Sequence, residues 1–331
     1  MRGRIVLHEF PHRRLRRRAL EYACLNAVTS LPMLLALACA LIVPGPPRSS
    51  ARIRTPQLVA ESLLEADRAF AATEARTDMI STLSAMFVDS VIMPLPQNGF
   101  AKDKAAAIAA LRTIPGAAAA RVSWTPIRAG ISADATHGFT FGYLTLSLPD
   151  SSRVSRKYMA YWAFVAGQWR VLAYKQGRAP GPAASMAMMP PALPTSIVGV
   201  RDDTPRAETL RHELMRAENS FSREAQRIGV GNAFAARGVA DAVNMGGSAS
   251  ASFIVGAKAI ARHVSRGNMA ASDVVWGADT AIVASSGDLG ITFGVIREKK
   301  PAVDSDPGAG YPFFTIWRRA NDRSPWRYVA E

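Results

Sequence analysis

The sequence predicts two tandem α+β domains, and three observations carry that prediction. A set of apolar and aromatic residues recurs after an interval of about 150 positions. Each copy opens on helical periodicity, and each closes on short runs that alternate with the period of a strand. Helices first and an antiparallel meander afterwards is the order of an α+β architecture, with the helices on one face of the sheet.

Residues 1–50 precede the repeat. Arg13-Arg14-Leu15-Arg16-Arg17-Arg18 is a positive cluster, Leu31 to Val43 is an uncharged and mostly apolar run, and Pro44-Gly45-Pro46-Pro47 breaks it. That order is a signal peptide's. Ala38-Cys39-Ala40 offers a small-x-small cleavage site. The rivals are an uncleaved anchor over Ala23 to Val43, which is just long enough to span a bilayer, and a misassigned start. In the first two readings the folded part is exported, periplasmic or secreted, and touches a membrane only through this segment.

The first copy is expected over 55–178. Its opening stripe is Val59, Leu63, Ala66 and Phe70, and the second copy, 205–331, opens on Leu210, Leu214, Ala217 and Phe221 at the same steps. Thr55-Pro56 and Thr204-Pro205 precede the stripes, a capping hydroxyl followed by a residue tolerated at the first helical position. Further helices are expected at Ile80–Phe87 and over 104–112. Then Val122-Ser123-Trp124 matches Val274-Val275-Trp276, and Gly138-Phe139-Thr140-Phe141-Gly142 matches Gly290-Ile291-Thr292-Phe293-Gly294, all 152 positions apart. Trp162 meets Trp317, and Trp169-Arg170 meets Trp326-Arg327. Three tryptophan pairs in register make this a duplication. Residues 179–204, rich in Pro, Ala and Met, read as a semi-stiff linker.

Composition narrows the function. Apolar residues make up 49% and charged residues 20%, the range of a folded globular protein. The net charge of +14 is not a nucleic-acid footprint, because a net of +6 lies in residues 1–50 and the rest is scattered among carboxylates. No nucleic-acid partner is expected. Both cysteines, Cys24 and Cys39, precede the repeat, so the folded part has no thiol chemistry. The five histidines show no ligand spacing, Gly229-Val230-Gly231 lacks a third glycine, and no metal or cofactor is implied.

Ala66-Asp67-Arg68-Ala69-Phe70, Ser286-Gly287-Asp288-Leu289 running into the Gly-x-Thr-Phe-Gly strand, and a tryptophan strand closed by Trp-Arg resemble the SnoaL-like domains of the nuclear transport factor 2 superfamily, most closely an exported branch of unknown function. The resemblance covers about 57–178 and 205–331. It implies two cone-shaped domains (the cystatin-like cone), each a curved antiparallel sheet wrapped around about three helices with an apolar pocket at one end. It also implies that the two copies pack sheet to sheet as an intramolecular pseudo-dimer. Isomerases of that superfamily carry a tyrosine where this chain has Phe70 and Phe221, and acids near the places of Pro94, Gly246, Tyr161 and Ile316; enolising isomerase chemistry is therefore not expected. Where the resembled branch closes its last strand with an acid, this chain has Tyr174 and Glu331.

The pocket candidates come from pattern. Asp67 and its counterpart Glu218 sit at the edge of the buried helix stripe, where a carboxyl beside apolar surface can act as a raised-pKa acid or be a bonded structural group. His137 and Tyr143 share strand parity with Phe139 and Phe141, while Tyr158, Tyr161 and Tyr174 add phenols that also suit a sheet core. The polar set belongs mostly to the first copy, which makes that copy the expected home of a working pocket. The first functional reading is an exported module binding a small apolar or aromatic ligand. An enzyme on a small apolar or carbonyl-bearing substrate and a non-catalytic interaction module are the alternatives.

Overall fold

A computed structural model describes residues 54–73, 78–96, 99–181, 185–300 and 310–331. Residues 1–50, where the sequence leads one to expect an export signal and where Cys24 and Cys39 lie, are outside the described residues. Among the described residues, no helix is long and apolar enough to cross a membrane.

The first copy runs α1 (Pro56–Thr73), α2 (Met79–Met86), β1 (Phe87–Pro94), β2 (Phe100–Ala101), α3 (Lys104–Arg112), β3 (Arg121–Ile131), β4 (His137–Ser147), β5 (Arg153–Val165) and β6 (Gln168–Arg178). The second repeats that order: α4 (Thr204–Ile228), α5 (Val230–Arg237), β7 (Gly238–Asn244), β8 (Ile254–Val255), α6 (Ala257–Val264), β9 (Val274–Val283), β10 (Leu289–Glu298), β11 (Tyr311–Arg318) and β12 (Arg327–Ala330). Thr55 Oγ1 accepts from the Leu58 N–H at the start of α1, as the sequence suggests. At α4 the cap shifts by one residue: Asp203, not Thr204, accepts from the Arg206 N–H at 3.0 Å. Gly229, at φ 90°, separates α4 from α5, and a side chain there would strike the Met269–Ala270 backbone.

The expected cone is not what forms. Each sheet is an open ladder of six strands, β2-β1-β6-β5-β4-β3 and β8-β7-β12-β11-β10-β9, and its two outer strands do not bond to each other. Neither sheet is wholly antiparallel, since β1 pairs with β6, and β7 with β12, in parallel. The cause is the partner sheet. Phe139, Phe141, Tyr143, Met159 and Tyr161 of the first copy form one buried cluster with Leu289, Ile291, Phe293, Phe314 and Ile316 of the second. Helices cover the opposite face of each sheet, in separate clusters built on Leu63 and Trp162 and on Leu214 and Trp317. Apolar side chains on both faces of each sheet are thus buried without the sheet curling or closing. The pair of copies is pseudo-symmetric, and the described residues of both fall in one compact unit.

Polar braces cross the seam as well. Asp134 accepts from the Ser285 hydroxyl at 2.8 Å and the Ser286 N–H at 2.9 Å, while Asp288 accepts from the Ala133 N–H at 3.0 Å. Burial works against the Asp134 charge, but hydrogen bonds from Ser132, Thr136 and Ser285 outweigh it and hold the group down to about 2. The Pro/Ala/Met stretch is pinned too: the Met189 and Ala192 N–H groups donate to Ile127 and Ala129 carbonyls of β3, at 2.7 and 2.9 Å.

Candidate functional site

The Gly-x-Thr-Phe-Gly strand organises the helix side of each sheet. A Cβ on Gly138 would lie 2.6 Å from Leu63, and one on Gly290 equally close to Leu214, so each glycine admits the leucine of its amphipathic helix. One turn on, the same helix face presents Asp67 or Glu218. Asp67 accepts from Trp124 Nε1 at 2.7 Å and from the Tyr158 hydroxyl at 2.8 Å. Glu218 accepts from Trp276 Nε1 at 2.7 Å, the Thr292 hydroxyl at 2.6 Å and Trp317 Nε1 at 3.0 Å. Both carboxyls are fully buried, and burial raises both pKa values against the pull of these donors.

Beyond the carboxyl, the two copies differ. In the first, the Tyr158 ring lies 6.5 Å from Tyr174, and Tyr174 lies 5.6 Å from Phe87. All three rings are buried and belong to the helix-side core. In the second copy the residues in register with Tyr158 and Tyr174 are Phe313 and Glu331. There the space is open. A cavity of about 350 Å³ is walled by Phe221, Phe234, Trp276, Phe313 and Phe314. Its polar side chains include Glu218, Asn244, Thr315, Glu331 and Lys175, the last supplied by β6 of the first copy.

Glu331 is half-buried, and Asn244 Nδ2 donates to its Oε1 at 2.7 Å. Burial pushes the Glu331 carboxyl up to about 7, with Lys175 opposing the shift. Burial brings the Lys175 ammonium down to about 8, with Glu331 opposing. Lys175 Nζ donates to the Phe314 carbonyl at 3.3 Å and lies 4.3 Å from the centre of the Phe314 ring. An apolar chamber with an acid that titrates near neutrality, an amide and a weakly held amine can take a small molecule that is apolar at one end and polar at the other.

Of the residues chosen from sequence, Glu218 lines this cavity, and Asp67, Tyr158 and Tyr174 sit together in the filled core of the first copy. His137, Tyr143 and Tyr161 point the other way, into the seam. The first sheet therefore separates Asp67 from His137 and Tyr143. Tyr143 accepts from the Phe253 N–H at 3.3 Å across the seam. His137 stacks against Tyr161 with ring centres 5.6 Å apart, and both His137 Nδ1 and the Tyr161 hydroxyl are buried without a hydrogen-bond partner among the described residues. Sequence reasoning did not select Lys175, Asn244 or the aromatic wall. The replacement of two packed tyrosines by Phe313 and Glu331 in register was the available signal.

Burial lowers the His137 pKa below 6.5, while Asp134 and Asp288 pull it back up. The unfolded chain takes up that proton before the folded one, so this group's contribution to stability is lost as pH falls below 6.5. His137→Phe is expected to gain on the wild type by at most about 1 kcal/mol between pH 7 and 5.5. Denaturant titrations at the two pH values measure it; a constant difference between the two proteins removes His137 from the acid response.

Among the described residues, no group of three or more His, Cys, Asp or Glu is arranged to hold a metal ion. No protein-family description matches the sequence, and no curated protein matches it. Solved structures do show similarity. An NTF-2-like protein of unknown function from Shewanella oneidensis is 8% identical, over 35% of this chain and 96% of its own, with a TM-score of 0.29. A ketosteroid isomerase-like protein from Erwinia carotovora atroseptica is 14% identical, over 37% of this chain and 97% of its own, with a TM-score of 0.30. An NTF2-like protein of unknown function from Pseudomonas putida is also 14% identical, over 41% of this chain and 96% of its own, with a TM-score of 0.30.

Proposed function

We propose that this chain is an exported small-molecule-binding protein of the SnoaL-like kind, whose second copy holds the ligand and whose first copy buttresses it. The observation that carries the reading is the 350 Å³ aromatic cavity with polar groups on its wall. That volume suits a ligand of one or two rings rather than a long lipid. The division of labour rests on register: the same place in the first copy is packed with Tyr158, Tyr174 and Phe87. Export rests on the Arg cluster, apolar run and proline break of residues 1–50. Isomerase chemistry of the enolising kind has no support, because Phe221 and Gly246 line the cavity where that pattern would need groups able to carry a proton.

Native mass spectrometry of the protein purified from its own host tests the reading. A retained small molecule is expected in the wild type. Val230→Phe, which places a ring in the cavity, should abolish retention while changing stability by less than about 2 kcal/mol. Retention that survives the substitution would move the site elsewhere.

A further inference from the structure

The geometry points to Lys175 as a nucleophilic amine that forms a reversible imine with an apolar aldehyde or ketone held in the second copy's cavity. This rests on the small-molecule reading of that cavity. The lysines differ in what holds them. Lys104 is paired with Asp89 at 2.9 Å. Lys157 is buried, and its ammonium donates to the Ser250 and Ser252 carbonyls at 2.5 and 3.4 Å. Lys102, Lys258, Lys299 and Lys300 are exposed. Lys175 alone joins a lining position in an aromatic chamber to a single long hydrogen bond, with no carboxylate within ion-pair distance among the described residues. An amine desolvated in this way is neutral, and so nucleophilic, for more of the time near neutral pH than an exposed lysine.

The cavity also supplies a proton carrier. The amine lone pair attacks the carbonyl carbon and the C=O π pair moves to oxygen. That oxygen takes a proton from the Glu331 carboxyl as the nitrogen returns one to it through a bridging water, giving a carbinolamine. The nitrogen lone pair then expels the hydroxyl, which leaves as water with a second proton from Glu331. Loss of the remaining N–H proton to the carboxylate restores Glu331, and the net change is amine plus carbonyl to imine plus water. Asn244, bonded to Glu331 Oε1, keeps that carboxyl facing the chamber. Burial places the Glu331 pKa at about 7, where both of its protonation states are populated at neutral pH.

The test is reductive trapping on the full chain. Protein is incubated with benzaldehyde and sodium cyanoborohydride, digested and mapped by mass spectrometry, with benzyl alcohol as the matched probe that cannot form an imine. Labelling at Lys175 is expected to be about tenfold faster than at Lys258 or Lys299, with a half-rise near pH 8 rather than 10.5. Benzyl alcohol should compete, and Lys175→Arg should lose the label while keeping its fold by circular dichroism. Val230→Phe, with Lys175 intact, should lose it too. If benzyl alcohol binds by saturation-transfer NMR but Lys175 labels no faster than exposed lysines, the imine is overturned and the binding reading stands. If neither probe binds, both fall.

Discussion

Phe293→Asp is expected to destabilise both copies together, by about 5 kcal/mol or more. Phe293 is 1% exposed, and its ring meets Phe100 of the first copy at 5.9 Å and Phe314 at 6.1 Å. The substitution removes an aromatic side chain, worth about 3–5 kcal/mol in a core, and leaves a lone carboxylate between two apolar sheet faces. Either the charge stays and pays for desolvation, or the sheets part and expose Phe139, Phe141 and Ile291 to water. Denaturant unfolding measures the loss, and Val275→Asp, at a strand position 40% exposed, should change stability by less than about 0.5 kcal/mol. The diagnostic readout is hydrogen exchange. Amides of Phe139 to Tyr143 should lose protection although the change lies in the other copy. Intact protection there would show that each copy is stable without the seam.

How far the sequence could be read depended on whether a feature was local or shared between copies. The amphipathic stripes and the tryptophan strands follow from in-register residues, whereas the sheet-to-sheet pairing is what the family resemblance implies, and the structure contains all three. The Gly-x-Thr-Phe-Gly match turns out to be structural at each position. Its first glycine admits a helix leucine, its threonine contacts the buried tryptophan, and its phenylalanine enters the seam. The last glycine faces backbone: a Cβ on Gly142 would lie 2.0 Å from the Thr125 carbonyl, and one on Gly294 would lie 1.9 Å from the Gly277 carbonyl. The parallel pairing of β1 with β6 was not legible, because a strand of burial pattern like Val91-Ile92-Met93 states neither its neighbour nor its direction. Parity placed His137 and Tyr143 on one strand face but could not say which face met helices and which met the other copy. The polar set is unmatched in the second copy, which places the expected pocket in the first, and parity could not reveal that the sheet divides that set. The cavity itself depends on volumes lost at Tyr158→Phe313 and Tyr174→Glu331 in register, a subtraction that becomes visible only when the tyrosines are known to be core.

Glu218→Ala is expected to cost about 3–5 kcal/mol, the second large effect. The carboxyl is fully buried and receives three donors: two indole N–H groups and one hydroxyl. Alanine leaves Trp276 Nε1 without its acceptor and Trp317 Nε1 with only the Thr292 hydroxyl oxygen at 3.1 Å, and neither indole can rotate to water without dragging its ring from the core. Thr292 is cheaper to disturb, since its hydroxyl also has the Thr315 carbonyl within reach at 3.4 Å. Glu218→Gln keeps one carbonyl oxygen for the indoles but turns an NH₂ group toward a donor, so an intermediate loss of about 1–3 kcal/mol is expected. The pH dependence separates a bonded carboxyl from a mere space-filler. Burial raises the Glu218 pKa above its ordinary 4.5, so the folded state holds a proton that the unfolded state releases. The stability this contributes is complete below pH 4.5 and is lost as pH rises through the folded-state value. The advantage of the wild type over Glu218→Gln should therefore shrink as pH rises from 4.5 toward 7. Urea titrations of the three proteins across that range decide the matter: a cost below about 1 kcal/mol for alanine, or a difference independent of pH, would remove Glu218 from the framework that holds the cavity wall in place.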